Sequence, residues 1–436
     1  MKIIYIVPGF GGTFYCGNCL RDSALIRALR REGHEALSLP MYLPPTRSAN
    51  SGPVDLPVFY GAVGIYFRQR FPVFRNMPGW MERTLNSAPL LNLASRNAGS
   101  TRAHGLEEMT ESMLMGKDGF QREELEQLVR FLKTEKPDVV HLSNALLLGL
   151  ASRIREEVKV PVVYSLQDED VWISAMEEPY KTRIWDLMAE KARDADAFIA
   201  VSRYFAGFMR EKLNIPGQKL HVVHIGIDPE NYEANSISTK IPAIGYLSRI
   251  NEENGFGILV DAFIELKKQS FSKSLRLHFT GGMTRDDKPF FRHQIDKLKK
   301  NRLNHQVAWF PEFHPEALKN FFAGITALSV PVLQGEAFGL YQLEALASGI
   351  PLVQPAVGAF PEIIDATGGG VQYSPNTPVA LASALSDLLQ DPGRMELLGG
   401  LGREAVARQF NWLVLARGMT GIYRKIGITK PNNHAC

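Results

Sequence analysis

SVPVLQGEAFGLYQLEALASGIPLVQP, residues 329–355, holds two carboxylates, Glu336 and Glu344, with seven residues between them. The apolar run ITALSVP at 325–331 reads as a buried strand. Leu340, Leu343, Leu346 and Ala347 then recur at helical spacing, and Gly349 followed by Pro351 stops the helix. The unit is strand, loop, helix, with Glu336 in the loop. The first amides of the helix, at Leu340 and Tyr341, can hold an anion. Glu344 lies four residues beyond Leu340, roughly 6 Å along the axis, at the edge of the apolar stripe. A phosphate at the helix start would therefore have a carboxylate on each side, each able to accept hydrogen bonds from hydroxyls. A nucleotide sugar has that order of groups: sugar, diphosphate, ribose.

Outward from this stretch the chain alternates strand and helix. Strands 241–248, 275–282 and 306–310 precede it, interleaved with helices at 255–269, 287–300 and 314–322. GGGVQYSP at 368–375 and helices at about 377–390 and 392–409 follow. In the first half, helices at 121–135, 146–157, 178–193 and 202–213 lead into strands at 138–143, 161–166, 197–202 and 221–226. Such alternation predicts parallel sheets covered on both faces, with strand ends converging on one crevice. In the first half those ends are Gly11 and Gly12, His141 to Asn144, Gln167 to Asp170, and Ser202. The opening loop carries Gly9, Gly11 and Gly12 but not G-x-G-x-x-G, so a dinucleotide fingerprint fits poorly.

A chain of 436 residues fits two domains of about 200 residues each. Hydrophobic content of 45% and charged content of 22% are those of a globular protein. A net charge of +3 is too small to imply a nucleic-acid partner. The first apolar run, Ile3 to Val7, ends at Pro8 and reads as a strand rather than a leader, and no run reaches the ~18 apolar residues of a membrane span. Three cysteines make no disulfide framework, so a reducing cytoplasm is expected.

Glu336, Phe338, Gly339, Glu344, Ala345, Ala347, Gly349 and Pro351 spell E-x-F-G-x-x-x-x-E-A-x-A-x-G-x-P. This resembles the donor-site signature of retaining GT-B glycosyltransferases, family 4 above all, and the likeness runs through nearly the whole chain except 44–120. It implies an α/β GT-B fold: two Rossmann-like, doubly wound parallel-sheet domains with an interdomain cleft. The acceptor-side domain would be 1–231, rejoined by a last helix from about 412 to 436, and the donor domain 241–411, with 232–241 as linker. The resemblance implies that Glu336 faces the donor sugar, Glu344 holds the ribose, and Gly11 and Gly12 face the phosphates. In SRINEENG (248–255), Arg249 and Gly255 match the diphosphate loop, but Asn254 stands where the family has Lys. The donor site so implied comprises Gly11, Gly12, Arg249, Asn254, Glu336, Phe338, Gly339, Leu340, Tyr341 and Glu344, with Glu336 and Arg249 catalytic. Arg285 or Lys288, after the strand end at Gly281 and Gly282, or Arg21, would replace the missing cation. Gln167 stands where the family often has His near the acceptor. No metal and no cofactor are expected. The partners would be a UDP- or GDP-sugar donor and a sugar, glycan, lipid-linked or small-molecule hydroxyl acceptor, with no nucleic acid, as for a hexosyltransferase. The alternatives are a degenerate nucleotide-sugar binder, an epimerase or phosphorylase on the same fold, and an NAD-dependent enzyme.

Three features remain outside that pattern. Residues 44–120 interrupt the rhythm as a helical insertion. Between Tyr60 and Ala103 six arginines (Arg68, Arg70, Arg75, Arg83, Arg96, Arg102) face one acid, Glu82. This stretch reads either as a cap with solvated arginines or as a surface lying on anionic lipid at the membrane inner face. Cys16 and Cys19 form a C-x-x-C at a helix start, read as two reduced packing cysteines because no further zinc ligands follow. Asp168-Glu169-Asp170 has the D-x-D spacing of a divalent-metal site in another glycosyltransferase fold, but is read as solvated acids.

Overall fold

Strands buried on both faces are continuous apolar runs rather than alternating ones. That is the character of IIYIV, VVHL and AFIA in the first half and of AIGYL in the second. The computed structural model describes residues 1–8, 15, 17–41, 105–234 and 241–428. The chain divides into two compact units: Met1–Gly11, Asp22–His224 and Leu415–Cys436 form one, and Gly12–Arg21 with Ile225–Val414 the other.

The first unit is built on β1 (Lys2–Val7), β2 (Glu35–Pro40), β3 (Val139–Leu142), β4 (Val162–Leu166), β5 (Ala197–Ala200) and β6 (Leu220–Val222). They form a parallel sheet in the order β2-β1-β3-β4-β5-β6. Helices α1 (Gly17–Arg31), α2 (Glu107–Met115), α3 (Arg122–Glu135), α4 (Ala151–Glu157), α5 (Glu169–Ser174), α6 (Tyr180–Lys191) and α7 (Arg203–Leu213) connect them. α3 buries Leu125, Leu128, Val129 and Leu132, the one-sided stripe expected of a helix laid on a sheet.

The second unit contains β7 (Ala243–Leu247), α8 (Phe256–Leu266), β8 (Arg276–Thr280), α9 (Lys288–Lys300), β9 (Val307–Trp309), α10 (Pro315–Ala323) and β10 (Ala327–Leu328). It continues with α11 (Leu340–Ala347), β11 (Leu352–Pro355), α12 (Phe360–Thr367), β12 (Gly370–Tyr373), α13 (Pro378–Leu389) and α14 (Pro392–Gln409). Its sheet is again parallel, in the order β12-β11-β10-β7-β8-β9. The sequence assigns no element to 352–367; the structure places β11 and α12 there. The chain runs outward from β7 through β8 to β9, then returns to β10 on the other side of β7. The order therefore reverses between β7 and β10, and the loops after these two strands flank the point where open α/β sheets bind ligands. Those loops are 248–255 and 329–339.

A last helix, α15 (Trp412–Ile428), groups from Leu415 onward with the first unit. There the Tyr423 hydroxyl and His141 Nδ1 of β3 are 2.5 Å apart. Cys19 is disulfide-bonded, which corrects the expectation of reduced cysteines; its partner lies outside the described residues. Cysteine number alone does not decide pairing: two thiols that the fold brings within reach form a bridge without a disulfide framework. Among the described residues no helix is long and apolar enough to cross a membrane. Gly11, Gly12, Cys16 and the basic stretch 60–103 with its six arginines lie outside the described residues.

Candidate active site

Every described residue of the expected donor site falls in the second unit, on the loops at the strand-order reversal and the helix that follows. β10 ends at Leu328, and the loop carrying Glu336 leads into α11. Gly339 caps that helix with φ 82°, and a Cβ there would lie 3.0 Å from both the Tyr341 ring and the Gln342 amide nitrogen. The positive φ calls for glycine, and a side chain there would press on both neighbours. The space it leaves lets Tyr341 fold back, so that its hydroxyl donates to Glu336 Oε2 at 2.5 Å. The Glu336 backbone carbonyl also accepts from Ala359 N at 3.0 Å, which ties the loop to the turn before α12. Phe338 is buried and its ring lies 6.3 Å from that of Phe410, anchoring the loop in the core.

α11 is not the amphipathic helix that its stripe suggests: all eight residues are buried. Glu344, expected at the edge of an apolar face, is 4% exposed. A buried carboxylate persists only with hydrogen bonds to both oxygens. Tyr15 donates its hydroxyl to Oε2 at 2.6 Å, and Tyr232 to Oε1 at 2.8 Å. Burial pushes the carboxyl up to about 7, against the opposing pull of those two hydroxyls. Burial, with the Glu344 charge beside them, also pushes both phenols well above their usual range. Tyr15 is fixed further by its amide, which donates to the Gly281 carbonyl at 2.7 Å. Tyr232, read from sequence as the first residue of a linker, is held by its own carbonyl, which accepts from Arg403 Nη1 at 3.2 Å.

The loop after β7 turns sharply at Gly255, where φ is 76° and a Cβ would come within 1.9 Å of the Pro331 carbonyl oxygen. No other residue fits there, and the close approach presses the loops after β7 and β10 together. The buried Tyr246 hydroxyl donates to the Arg249 carbonyl at 2.8 Å. The Arg249 guanidinium is gripped by Asp287, Nε to Oδ2 at 2.8 Å and Nη2 to Oδ1 at 3.0 Å, and Nη2 also donates to Thr284 Oγ1 at 3.0 Å. Asn254 spends its Nδ2 on Ser248 Oγ at 2.8 Å and the Arg249 carbonyl at 3.3 Å. Arg285 and Lys288, the expected replacement cations, are exposed on the same turn whose buried members, Thr284 and Asp287, hold Arg249. The structure thus brings Arg249, Asn254, Glu336, Phe338, Gly339, Leu340, Tyr341 and Glu344 onto adjoining loops and one helix. Sequence reading missed Tyr15, Tyr232, Thr284 and Asp287.

At the strand ends of the first unit the acids at 168–170 are not all solvated. Glu169 is 1% exposed and accepts from the amides of Ala145 at 2.8 Å and Gln167 at 2.7 Å. Burial pushes it up to about 8 and half-buried Asp170 up to about 6. The reason is topological: a residue just past a central strand is covered by the neighbouring loops. Gln167 donates Nε2 to the Ser143 carbonyl at 2.7 Å. Among the described residues no group of three or more His, Cys, Asp or Glu could hold a metal ion.

Residues 113–231 match Glycosyltransferase Family 4, and residues 241–391 match Glycosyl transferases group 1. An uncharacterized glycosyltransferase of Methanocaldococcus jannaschii is 23% identical over 319 residues, 70% of this chain and 80% of that protein. Among solved structures, sucrose-phosphate synthase from Thermosynechococcus elongatus superposes with a TM-score of 0.72 at 17% identity, covering 99% of this chain and 100% of that one. HepE of Anabaena in complex with UDP superposes with a TM-score of 0.69 at 15% identity, covering 98% and 100%.

Proposed function

The chain belongs with the GT-B glycosyltransferases and resembles family 4, and from that premise we propose that it transfers a sugar from a nucleotide diphosphate sugar to a hydroxyl acceptor, with retention of anomeric configuration and without a metal ion. The observation that carries the reading is the convergence, at the strand-order reversal of the second unit, of one clamped arginine and two carboxylates on adjoining segments. Arg249 and the first amides of α11 would take the diphosphate, whose departure is favoured by donors already aimed at its developing charge. Glu336, held by Tyr341, would orient the donor sugar through its hydroxyls. Glu344 would bind the ribose. A carboxylate has about four lone-pair positions, so the two tyrosine hydroxyls leave room for a diol. HepE is seen with UDP, and UDP-sugars are therefore the first donors to test. Gly11 and Gly12 would face the phosphates, and the acceptor would be a sugar, glycan, lipid-linked or small-molecule hydroxyl. The disulfide at Cys19 removes the ground for a reducing cytoplasm, and 60–103 is the stretch that would meet a membrane surface.

A second reading, a nucleotide-sugar binder without turnover, draws on Asn254 in place of Lys and Gln167 in place of His. Thermal shift with UDP, GDP, ADP and NAD tests nucleotide binding. NMR of the product anomer tests retention, and activity after chelation tests metal independence. Stabilisation by a nucleoside diphosphate without release from any sugar donor would select the second reading; stabilisation by NAD alone would remove both.

A further inference from the structure

Asp287 is a carboxylate that the donor reading does not use, yet it is 1% exposed and, among the described residues, takes four hydrogen bonds. Oδ2 accepts from Arg249 Nε at 2.8 Å, from the Thr284 amide at 2.8 Å and from Thr284 Oγ1 at 2.7 Å; Oδ1 accepts from Arg249 Nη2 at 3.0 Å. Thr284 Oγ1 in turn accepts from Arg249 Nη2 at 3.0 Å. The turn after β8 thus grips one whole edge of the guanidinium, Nε and Nη2, through a carboxylate and a hydroxyl that also bond to each other. Three hydrogen bonds along one edge fix the plane of the guanidinium. The turn therefore helps to set where the opposite edge points.

Within the loop 248–255 Arg249 is the only cation, so its aim matters. Asn254 is neutral and spent on Ser248 and the Arg249 carbonyl. Burial raises the Asp287 carboxyl, but the hydrogen bonds from Arg249 and Thr284 outweigh it and hold the group below the usual carboxylate range. Asp287 is therefore ionised, and the pair it makes with Arg249 carries no net charge. What a paired arginine offers a phosphate is aim rather than bulk charge, and aim is what Asp287 supplies.

We propose that Asp287, braced by Thr284, is the positioning residue that directs Arg249 onto the donor diphosphate. This rests on the donor-site reading above. The test is a double-mutant cycle on the whole protein: Kd for UDP (GDP if the parent prefers it) by titration calorimetry for the parent, Asp287→Asn, Arg249→Gln and the double variant. Each single change should weaken binding roughly tenfold, the loss of a hydrogen bond to a charged group. The double variant should be no more than about twofold weaker than Arg249→Gln, because a residue that acts through Arg249 has nothing to direct once it is gone. A merely structural role would give additive losses, about a hundredfold in the double variant. Thr284→Val leaves the ion pair in place and keeps the test open if Asp287→Asn does not fold. It should weaken binding in the Arg249 background and have no effect beside Arg249→Gln. Additive losses, a silent Asp287→Asn and Thr284→Val, or tighter binding in Asp287→Asn would each overturn the proposal while Arg249→Gln still weakens binding. Failure of the parent to bind either diphosphate would instead overturn the donor-site reading, and this inference with it.

Discussion

Replacing Glu344 by Gln removes a buried titratable group and keeps its shape. Burial pushes the carboxyl up to about 7 from an ordinary value of 4.5. At about 1.4 kcal/mol per pH unit that difference amounts to about 3 kcal/mol. The sign follows from the direction. Because the folded protein holds this proton more tightly than the unfolded chain, the stabilisation is fully present below about pH 4.5. It is lost as pH rises through about 7. The parent should therefore lose stability relative to Glu344→Gln across that window, by roughly 6–12 °C in the melting temperature of a unit this size. Glu169 and Asp170 also titrate in the folded state near this range, but they are common to both proteins and cancel in the difference. Nucleotide binding should run the other way. Ribose hydroxyls donate to the ionised form, so the Kd of the parent for UDP should fall between pH 6 and 8 by more than that of the variant, in which the terminal phosphate of UDP still ionises but residue 344 does not. Differential scanning calorimetry and titration calorimetry at half-unit steps read both curves. Parallel melting curves for the two proteins from pH 5 to 8 would refute the reasoning.

Glu336→Ala should lower turnover far more than affinity for free UDP or GDP, because its proposed partner is the sugar; equal losses of diphosphate affinity in Glu336→Ala and Glu344→Ala would remove that division of roles. Arg285→Ala should cost roughly tenfold or more in turnover if this exposed cation stands in for the Lys missing at Asn254, and Asn254→Lys should restore much of the loss. A silent Arg285→Ala would exclude it as the replacement. If Arg68, Arg70 and Arg75 meet anionic lipid, the protein should sediment with anionic vesicles at low salt, and both salt and the triple Ala variant should abolish this. Sedimentation unchanged in the triple variant would leave the arginines as a solvated surface.

The two sheets were legible because their strands are short apolar runs separated by helical stripes, a periodicity that needs no partner to be seen. The loop with Glu336, the helix from Leu340 and its stop at Gly349 follow from local chemistry, and they stand where the spacing puts them. What surrounds Glu344 does not. Tyr15 is 329 residues away in sequence, and no local pattern announces a pairing over that distance. A Glu on an apolar helix reads as the solvated edge, whereas α11 is enclosed on all sides. Asp287 was overlooked for the opposite reason. On a charged turn, TRDDK, the cations Arg285 and Lys288 look like the anion binders, and only tertiary burial shows that an acid on that turn holds the arginine of the next loop. α12 escaped because FPEIIDAT is eight residues with a Pro in its first turn, too short for a periodic signal.

The most direct test of the donor-site account is release of nucleoside diphosphate from a panel of UDP-, GDP- and ADP-sugars, measured for the parent and Glu336→Gln with sugar and lipid-linked acceptors supplied. The account predicts release from at least one donor, with transfer to an acceptor, and its near-complete loss in Glu336→Gln while diphosphate affinity persists. Release from none of the donors, or release that Glu336→Gln leaves unchanged, would contradict it.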